Sequence, residues 1–394
     1  MRWFRWLRGQ QSSQGTLQQH LDKIRQHLPV PLFWLLGKTQ SGKTSLIRYL
    51  TGASDAEIGQ GFRATTQYSR IYYFPSEQIP LLAFLDTRGL EEPAYDPTQD
   101  LARFNEQAHA VLVTVRLLDQ ALHRLLTVVR QVRSARPSRP ILLVITCLHE
   151  AYPGQPHPEP YPFGTPAEQQ LVPPQVCRLL DTHRQLFADF VDAVVPVDFT
   201  PPEEGFSDPN YGGPALKEAL LRLLPEVYKQ PLLQLETTKK TLHSQQERYA
   251  LPYILAYSSL AATAGALPIP WLDLVILPAI QTRMVYHLAE LYGQPLTGKR
   301  FRELAASLGI GLLVRQAVRE VAKLIPGLGS IVAATLAASS TYALGRAFCY
   351  YYTALQGGRT PDLDDIRRYY HQQLHLAEKL WRTSPDAHHQ PPSP

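Results

Sequence analysis

The first half of the chain carries short, near-continuous apolar blocks separated by stretches with helical periodicity. The run VPLFWLLG (30–37) ends on glycine and reads as a buried parallel strand. Comparable runs stand at 69–74 (SRIYYF), 80–86 (PLLAFLD), 109–115 (HAVLVTV), 140–146 (PILLVIT) and 192–198 (DAVVPVD). Helical patterns fall between most of them, at 43–51, 118–132, 174–190 and 214–224, and another precedes the first strand at 16–28. Strands alternating with helices over roughly 200 residues predict a doubly wound α/β sheet. The runs 69–74 and 80–86 are joined by the short turn PSEQI and are expected to be antiparallel neighbours.

From about residue 230 the pattern changes. A polar helix passes into a long apolar stretch in which 249–281 holds one charge, Asp273, and a second uncharged run covers 324–345. This predicts an all-α apolar helical domain after the α/β domain. The expected organisation is a basic and aromatic segment with a helix (1–28), a phosphate-binding α/β domain (29–230), a helical, membrane-associated domain (231–382) and a disordered tail (383–394). Two Pro/Gly-rich stretches, 151–166 and 200–214, follow strands at the edge where open α/β sheets bind ligands. They read as lids over a ligand or as solvated loops.

Composition narrows the class. The 394 residues are 44% hydrophobic and 19% charged, a globular balance, and the net charge of +5 suits phosphates or an acidic membrane surface. Cys147, Cys177 and Cys349 lie far apart without metal-ligand spacing, which points to a reducing compartment and no structural metal. The N-terminus MRWFRWLRGQQSSQG lacks the apolar core of a signal peptide. Arg2, Arg5 and Arg8 alternate with Trp3, Phe4, Trp6 and Leu7, the make-up of an interfacial anchor or of a tail packed on the protein body.

The sharpest chemistry lies between the first strand and the first helix. GKTQSGKT (37–44) fits G-x-x-x-x-G-K-[ST] in the strand–loop–helix setting that the motif needs. Gly37, Thr39, Gln40, Ser41, Gly42, Lys43, Thr44 and Ser45 are expected to line a phosphate site. Lys43 would reach the β- and γ-phosphates, and Thr44 would give its hydroxyl to Mg²⁺. Further on, DTRG (86–89) fits D-x-x-G, with Asp86 holding Mg²⁺ and the Gly89 N–H meeting the γ-phosphate. Between them GFRATTQ offers Thr65 and Thr66, of which Thr66 abuts the strand and is favoured to close on Mg²⁺ when the γ-phosphate is present.

GKTQSGKT, ATTQ and DTRGL resemble the first three motifs of the Era/TrmE-type bacterial GTPases. The later segments PWLDLVILPAIQTRMVYHLAELYG and LIPGLGSIVAATLAASSTYALGRAF are similar to an apolar helical domain of unknown function fused to such G domains. The resemblance covers about 30–355. It implies a GTP/GDP-binding protein with Mg²⁺, linked to the cytoplasmic face of a bacterial membrane as an integral or peripheral protein. The family's fourth motif, Asn/Thr-Lys-x-Asp, aligns with Thr146, Cys147, Leu148 and His149, so both its lysine and its guanine-reading aspartate are missing. A neutral imidazole offers one acceptor where guanine presents two donors. His149, Glu150 and Asp198, in PVDFT near the fifth motif, are the candidates at the base.

Hydrolysis has fewer candidates. Leu90 follows D-x-x-G where related proteins place a water-orienting glutamine, and Gln40 replaces the loop asparagine of potassium-activated members. Arg88 is the candidate for transition-state charge, with Glu91 and Glu92 as further options. Slow intrinsic turnover, raised by an activating protein, a homodimer or membrane contact, is the expectation.

Residues 249–268 and 324–345 are each long enough to span a bilayer. The basic stretch between them, with Arg283, Lys299, Arg300, Arg302, Arg315, Arg319 and Lys323, disfavours a simple pair of spans under the positive-inside tendency. Small residues in IVAATLAASSTYALG favour close helix contact in either solvent. The principal reading is a GTP-binding protein that hydrolyses GTP slowly and switches at a membrane. An ATPase or broad-specificity NTPase, or a non-hydrolysing nucleotide-binding scaffold, are the other classes that fit. Membrane lipids are an expected partner and nucleic acid is not.

Overall fold

The computed structural model describes residues 24, 27–28, 30–54, 58, 62–64, 69–87, 104, 106–200, 208–224, 233, 235, 244–266, 272–294 and 329–382. The Arg/Trp segment at 1–15 and the tail at 383–394 lie outside them. The chain divides into two compact units, Val30–Lys229 and one holding the later helices.

The first unit is built on a seven-stranded mixed sheet. Its strands are β1 (Leu32–Gly37), β2 (Phe62–Ala64), β3 (Ser69–Pro75), β4 (Pro80–Thr87), β5 (Ala110–Arg116), β6 (Ile141–Thr146) and β7 (Ala193–Pro196). They lie in the order β2-β3-β4-β1-β5-β6-β7. β1 pairs in parallel with both β4 and β5, and β5, β6 and β7 continue in parallel. The expected antiparallel pair is present, Ser69 opposite Thr87 through to Pro75 opposite Pro80. β2 was not foreseen: three residues are too few to show alternation, and they form an antiparallel edge on β3.

Every residue of β1 is buried, as a strand covered on both faces requires. Trp34 is fully enclosed beneath the sheet's neighbours, and its indole N–H donates to Thr87 Oγ1 at 2.7 Å, so its one polar atom is satisfied. Around the sheet lie α1 (Lys43–Thr51), α2 (His123–Ala135), the short α3 (Glu168–Leu171), α4 (Pro174–Phe187) and α5 (Gly213–Leu223). α2 buries Leu125, Val128, Val129 and Val132, an i, i+3, i+4, i+7 stripe, in the same cluster as Val176, Leu180 and Phe187 of α4. α2 starts five residues later than its periodicity predicts. Asp119 Oδ1 accepts from Ala121 N (3.1 Å) and Lys38 Nζ (2.8 Å), holding 117–122 as a turn.

The Pro/Gly-rich stretch 151–166 is exposed at 153–156, 159–160 and 164–166 and anchored between those points by aromatic side chains. Tyr152 and Phe163 are buried members of the core cluster. His157 stacks on Tyr211 with ring centres 4.3 Å apart. Glu168 accepts the Gly164 N–H at 2.7 Å and pairs with both terminal nitrogens of Arg184, at 2.7 and 2.9 Å, fastening the stretch to α4.

The second unit contains α6 (Gln245–Ala266), α7 (Leu272–Leu291), α8 (Gly329–Gln356) and α9 (Leu363–Arg382). α6 and α8 run antiparallel at close range, with Gly265 against Ala333 and Ala334 at one end and Ile254 against Gly345 further along. The small residues seen in the sequence are what permit this approach. Buried polar side chains bind across the helices: Gln281 Nε2 donates to Thr341 Oγ1 (3.3 Å), and Tyr352 to the Val285 carbonyl (3.2 Å). Among the described residues no helix is long and apolar enough to cross a membrane. Of the runs read as long enough to span, 267–268 and 324–328 lie outside the described residues. α6 opens on Gln245, Gln246, Glu247 and Arg248, and α8 carries Ser339, Ser340, Thr341 and Arg346 within its length.

Two outcomes are expected. His109 accepts the Leu32 N–H at Nδ1 (3.0 Å), and burial, with help from Arg136 and Arg139, lowers its pKa to about 4. The fold therefore holds the neutral ring, whereas the unfolded chain titrates near 6.5. This contribution is complete above 6.5 and lost as pH falls toward about 4. Urea unfolding at pH 7.5 and 5 should show His109→Asn losing less stability on acidification than the parent chain. Gly265→Val should cost about 1–3 kcal/mol, because even a Cβ there would lie 2.9 Å from the Ala333 carbonyl oxygen; thermal melting checks it.

Candidate nucleotide site

The phosphate loop leaves β1 at Gly37, where no side chain fits. A Cβ there would stand 2.1 Å from Thr114 Oγ1 and 2.7 Å from the Thr114 carbonyl oxygen. The turn then uses two left-handed residues, Gln40 (φ 62°) and Gly42 (φ 86°), to deliver the chain into α1. Gly42 stands at the N-cap of α1 and no side chain caps the helix, so its first N–H groups remain for an anion. Lys43 curls back, donating to the Gly37 and Lys38 carbonyls at 2.7 Å each. Thr39, Gln40 and Thr44 are exposed, and Ser45 is half-buried.

Ser41 differs from its expected role. Its hydroxyl is buried and bonded to Thr114 Oγ1 at 2.6 Å, so the side chain anchors the loop to β5 instead of facing a ligand. Thr146, at the end of β6, gives its hydroxyl to the Ser41 carbonyl (3.1 Å) and the Val115 carbonyl (3.3 Å). One loop is thus held from two strands.

Asp86 ends β4 opposite Leu35 of β1, in the register that places it beside the loop's origin. Its side chain is nearly enclosed. Oδ2 accepts from Arg70 Nη2 at 3.0 Å, and Oδ1 is buried with no hydrogen-bond partner among the described residues. A buried carboxylate oxygen without a donor is costly in this state and suits a cation or a cation's water. Arg70 was missed by sequence reading; it sits directly across from Asp86 in the β3–β4 register. Thr66, Arg88 and Gly89 lie outside the described residues, and the structure neither joins them to this group nor separates them from it.

On the base side, Cys147 takes a left-handed turn (φ 55°) into a short 3-10 helix, Leu148–Ala151. Burial, then Glu150, pushes the Cys147 thiol up to about 11, so it stays protonated and unreactive. Asp198 turns its carboxylate toward protein donors. It is fully buried, its Oδ2 accepting from the His149 backbone N–H and lying against His149 Nδ1, both at 2.8 Å. Its Oδ1 accepts from the Thr200 N–H (3.1 Å) and hydroxyl (2.5 Å). Glu150 is likewise engaged, in an ion pair with Arg116 from the end of β5. Thr200 went unread in the sequence, although Asp-x-Thr is a pattern that often closes a local turn through the aspartate oxygen.

The structure therefore gathers Gly37 to Ser45 into one loop and the first turn of α1, sets Asp86 on the adjacent strand, and brings His149 and Asp198 together. Residues 33–147 match the family described as 50S ribosome-binding GTPase, and residues 233–379 match the domain of unknown function DUF697. Three solved structures align with about half of the chain. The G domain of the FeoB iron transporter of T. maritima is 15% identical, covering 49% of this chain and 98% of its own, with a TM-score of 0.28. The chloroplast translocon components atToc33 and psToc159 are represented by a structure 18% identical, covering 53% and 90%, with a TM-score of 0.31. A dimerization-deficient mutant of Toc33 from Arabidopsis thaliana is 20% identical, covering 54% and 92%, with a TM-score of 0.31. Magnetosome membrane protein 22 of Magnetospirillum gryphiswaldense is 37% identical over 138 residues, covering 32% of this chain and 68% of that protein. The chain joins a P-loop GTPase domain, whose ligand is a guanine nucleotide, to a DUF697 domain, and it belongs to the family of magnetosome membrane protein 22.

Proposed function

We propose that the chain is an Era-like GTPase that binds GTP with Mg²⁺, hydrolyses it slowly to GDP and phosphate, and acts at the cytoplasmic face of a bacterial membrane. The observation that carries the nucleotide part is the uncapped start of α1, with Gly37 and Gly42 shaping its approach and Asp86 Oδ1 unpartnered beside it. Backbone N–H groups of 39–45 would bind the phosphates. Lys43 would exchange two loop carbonyls for the β- and γ-phosphate oxygens, trading neutral acceptors for charged ones.

The donor set fits Mg²⁺: an exposed Thr44 hydroxyl and a carboxylate with an unused oxygen. Bound there, the ion would offset the negative charge that builds between the β- and γ-phosphates. Asp86 would hold it through water while Arg70 keeps the other carboxylate oxygen in place. Thr66 and Gly89 are assigned to sensing the γ-phosphate and Arg88 to transition-state charge, with the 54–66 and 86–96 segments changing contacts between GTP and GDP forms. Leu90 offers no group to orient water, which favours slow turnover and a partner, a second copy or lipid as accelerator.

Membrane association rests on the relative named as a membrane protein. With no described helix able to cross a bilayer, attachment is peripheral. Arg248, Arg283 and exposed Tyr249, Tyr286 and Leu291 give the helical unit a basic and apolar exterior suited to anionic lipid.

Three measurements test this reading. Titration calorimetry of the full chain should show GDP binding with Mg²⁺ that Lys43→Ala weakens at least about tenfold. Asp86→Asn should weaken the Mg²⁺ dependence while leaving metal-free binding in place. Steady phosphate release that is absent even with lipid and potassium would select the scaffold reading instead. In flotation with anionic vesicles, the protein is expected to rise with the lipid at low salt and to be stripped by high salt or alkaline carbonate. Release by detergent alone would defeat the peripheral assignment.

A further inference from the structure

Arg70 and Asp86 stand directly opposite each other in the antiparallel β3–β4 ladder, so their side chains rise on the same face of the sheet. Arg70 Nη2 donates to Asp86 Oδ2 at 3.0 Å. The carboxylate side chain is 9% exposed and the arginine 24%, so the pair is rooted in the sheet and reaches water on its cationic side. The loop's own lysines are turned elsewhere. Lys43 donates to the Gly37 and Lys38 carbonyls, and Lys38 pairs with Asp119 at 2.8 Å. Among the described residues, Arg70 is the cation bonded to the carboxylate that stands beside the phosphate loop.

That pairing bears on the nucleotide. A diphosphate in the loop brings several negative charges toward a nearly enclosed carboxylate, where repulsion is poorly screened. The repulsion is offset by Mg²⁺ when it binds, and also by a guanidinium already bonded to the carboxylate. Arg70 occupies Oδ2 alone, which leaves Oδ1 for a cation or its water. The two cations are compatible in space, yet each reduces the need for the other. Resting on the reading that this site takes a nucleotide with Mg²⁺, we infer that Arg70 is a built-in counter-cation for Asp86, which lets the chain hold the diphosphate with little help from Mg²⁺.

A purely mechanical role has the opposite sign. If Arg70 only held Asp86 in the geometry a metal needs, removing it would lower the benefit of Mg²⁺. If it balances charge, removing it raises that benefit, because the bare carboxylate repels the diphosphate in metal-free buffer and attracts Mg²⁺ more strongly. The charge role is favoured by the ladder itself. Asp86 is already fixed between Arg70 on one side and Leu35 of β1 on the other, whereas a pair that loses one partner leaves the other charge uncompensated. Arg70 is a positioning residue that acts on the nucleotide through Asp86.

The test is the ratio of GDP dissociation constants in EDTA and in Mg²⁺, measured by calorimetry on the full chain. General loss of packing weakens both arms alike and leaves the ratio unmoved. The parent ratio is expected to stay below about tenfold. Arg70→Gln should raise it at least about fivefold, chiefly by weakening binding in EDTA. Arg70→Lys keeps the charge and should stay within about twofold of the parent. On an Asp86→Asn background, Arg70→Gln should move the ratio by less than about twofold, since no carboxylate charge remains to balance.

A parent ratio above tenfold would overturn the inference, and this arm decides if Arg70→Gln does not fold. A ratio that falls or stays level in folded Arg70→Gln would also overturn it and leave Arg70 the mechanical role. In both cases GDP still binds and the phosphate-site reading stands. GDP binding in neither buffer would remove that reading and the inference with it.

Discussion

Gly37 passes so close to Thr114 that the two strands meet backbone to side chain, and the phosphate loop inherits its position from that contact. The same Thr114 hydroxyl takes Ser41, and Thr146 takes the Ser41 carbonyl, so β5 and β6 together set the curvature of a loop that belongs to β1. Because β1 is buried from Leu32 to Gly37 and flanked on both sides in parallel, it cannot shift register without moving its whole apolar set. The site is therefore built on a central, fully buried strand of the sheet, with the exposed Thr44 and the half-buried Lys43 at the start of α1.

The parts of this fold that were legible in the sequence are those whose burial leaves no choice of residue. Central parallel strands must be apolar throughout, so β1, β4, β5 and β6 stand out as runs, and the glycines of the loop follow from close approach and positive φ. What was not legible depends on orientation. The spacing of Asp198 places it near the base side but does not say that its carboxylate turns inward to His149 and Thr200. Ser41 lies in the motif, yet its hydroxyl is committed to Thr114. The 151–166 stretch misleads by its prolines and glycines, while Tyr152, Tyr161 and Phe163, which decide its packing, are spaced too irregularly for a period to show them.

Two buried carboxylates at strand ends illustrate how ligand groups and framework groups differ. Asp198 receives backbone and side-chain donors on both oxygens, the condition under which a buried charge is tolerated without a metal or a base nearby. Asp86 has one oxygen matched by Arg70 and one left over. An unmatched oxygen of this kind costs about 1–3 kcal/mol or more, a cost that a bound cation or its water would recover. Sequence motifs identify both aspartates as candidates; the donor inventory of each oxygen is what separates the one that orders protein from the one with capacity for a ligand.

The helical unit poses the same question of solvent. Its small residues are consumed in the α6–α8 contact, where Gly265 and Gly345 admit the facing helix, and two polar pairs join its helices, Gln281 to Thr341 and Arg346 to Tyr369. A helix facing hydrocarbon would have to bury those polar positions against neighbours, and here the neighbours already supply the partners. The apolar character of 249–266 and 332–345 is matched by packing within the unit, where Leu251, Leu255, Leu260, Ala337 and Ala343 are enclosed. The exposed side chains of the unit include Tyr249 and Tyr286, which combine an apolar body with a polar tip, the kind of residue that suits a headgroup environment.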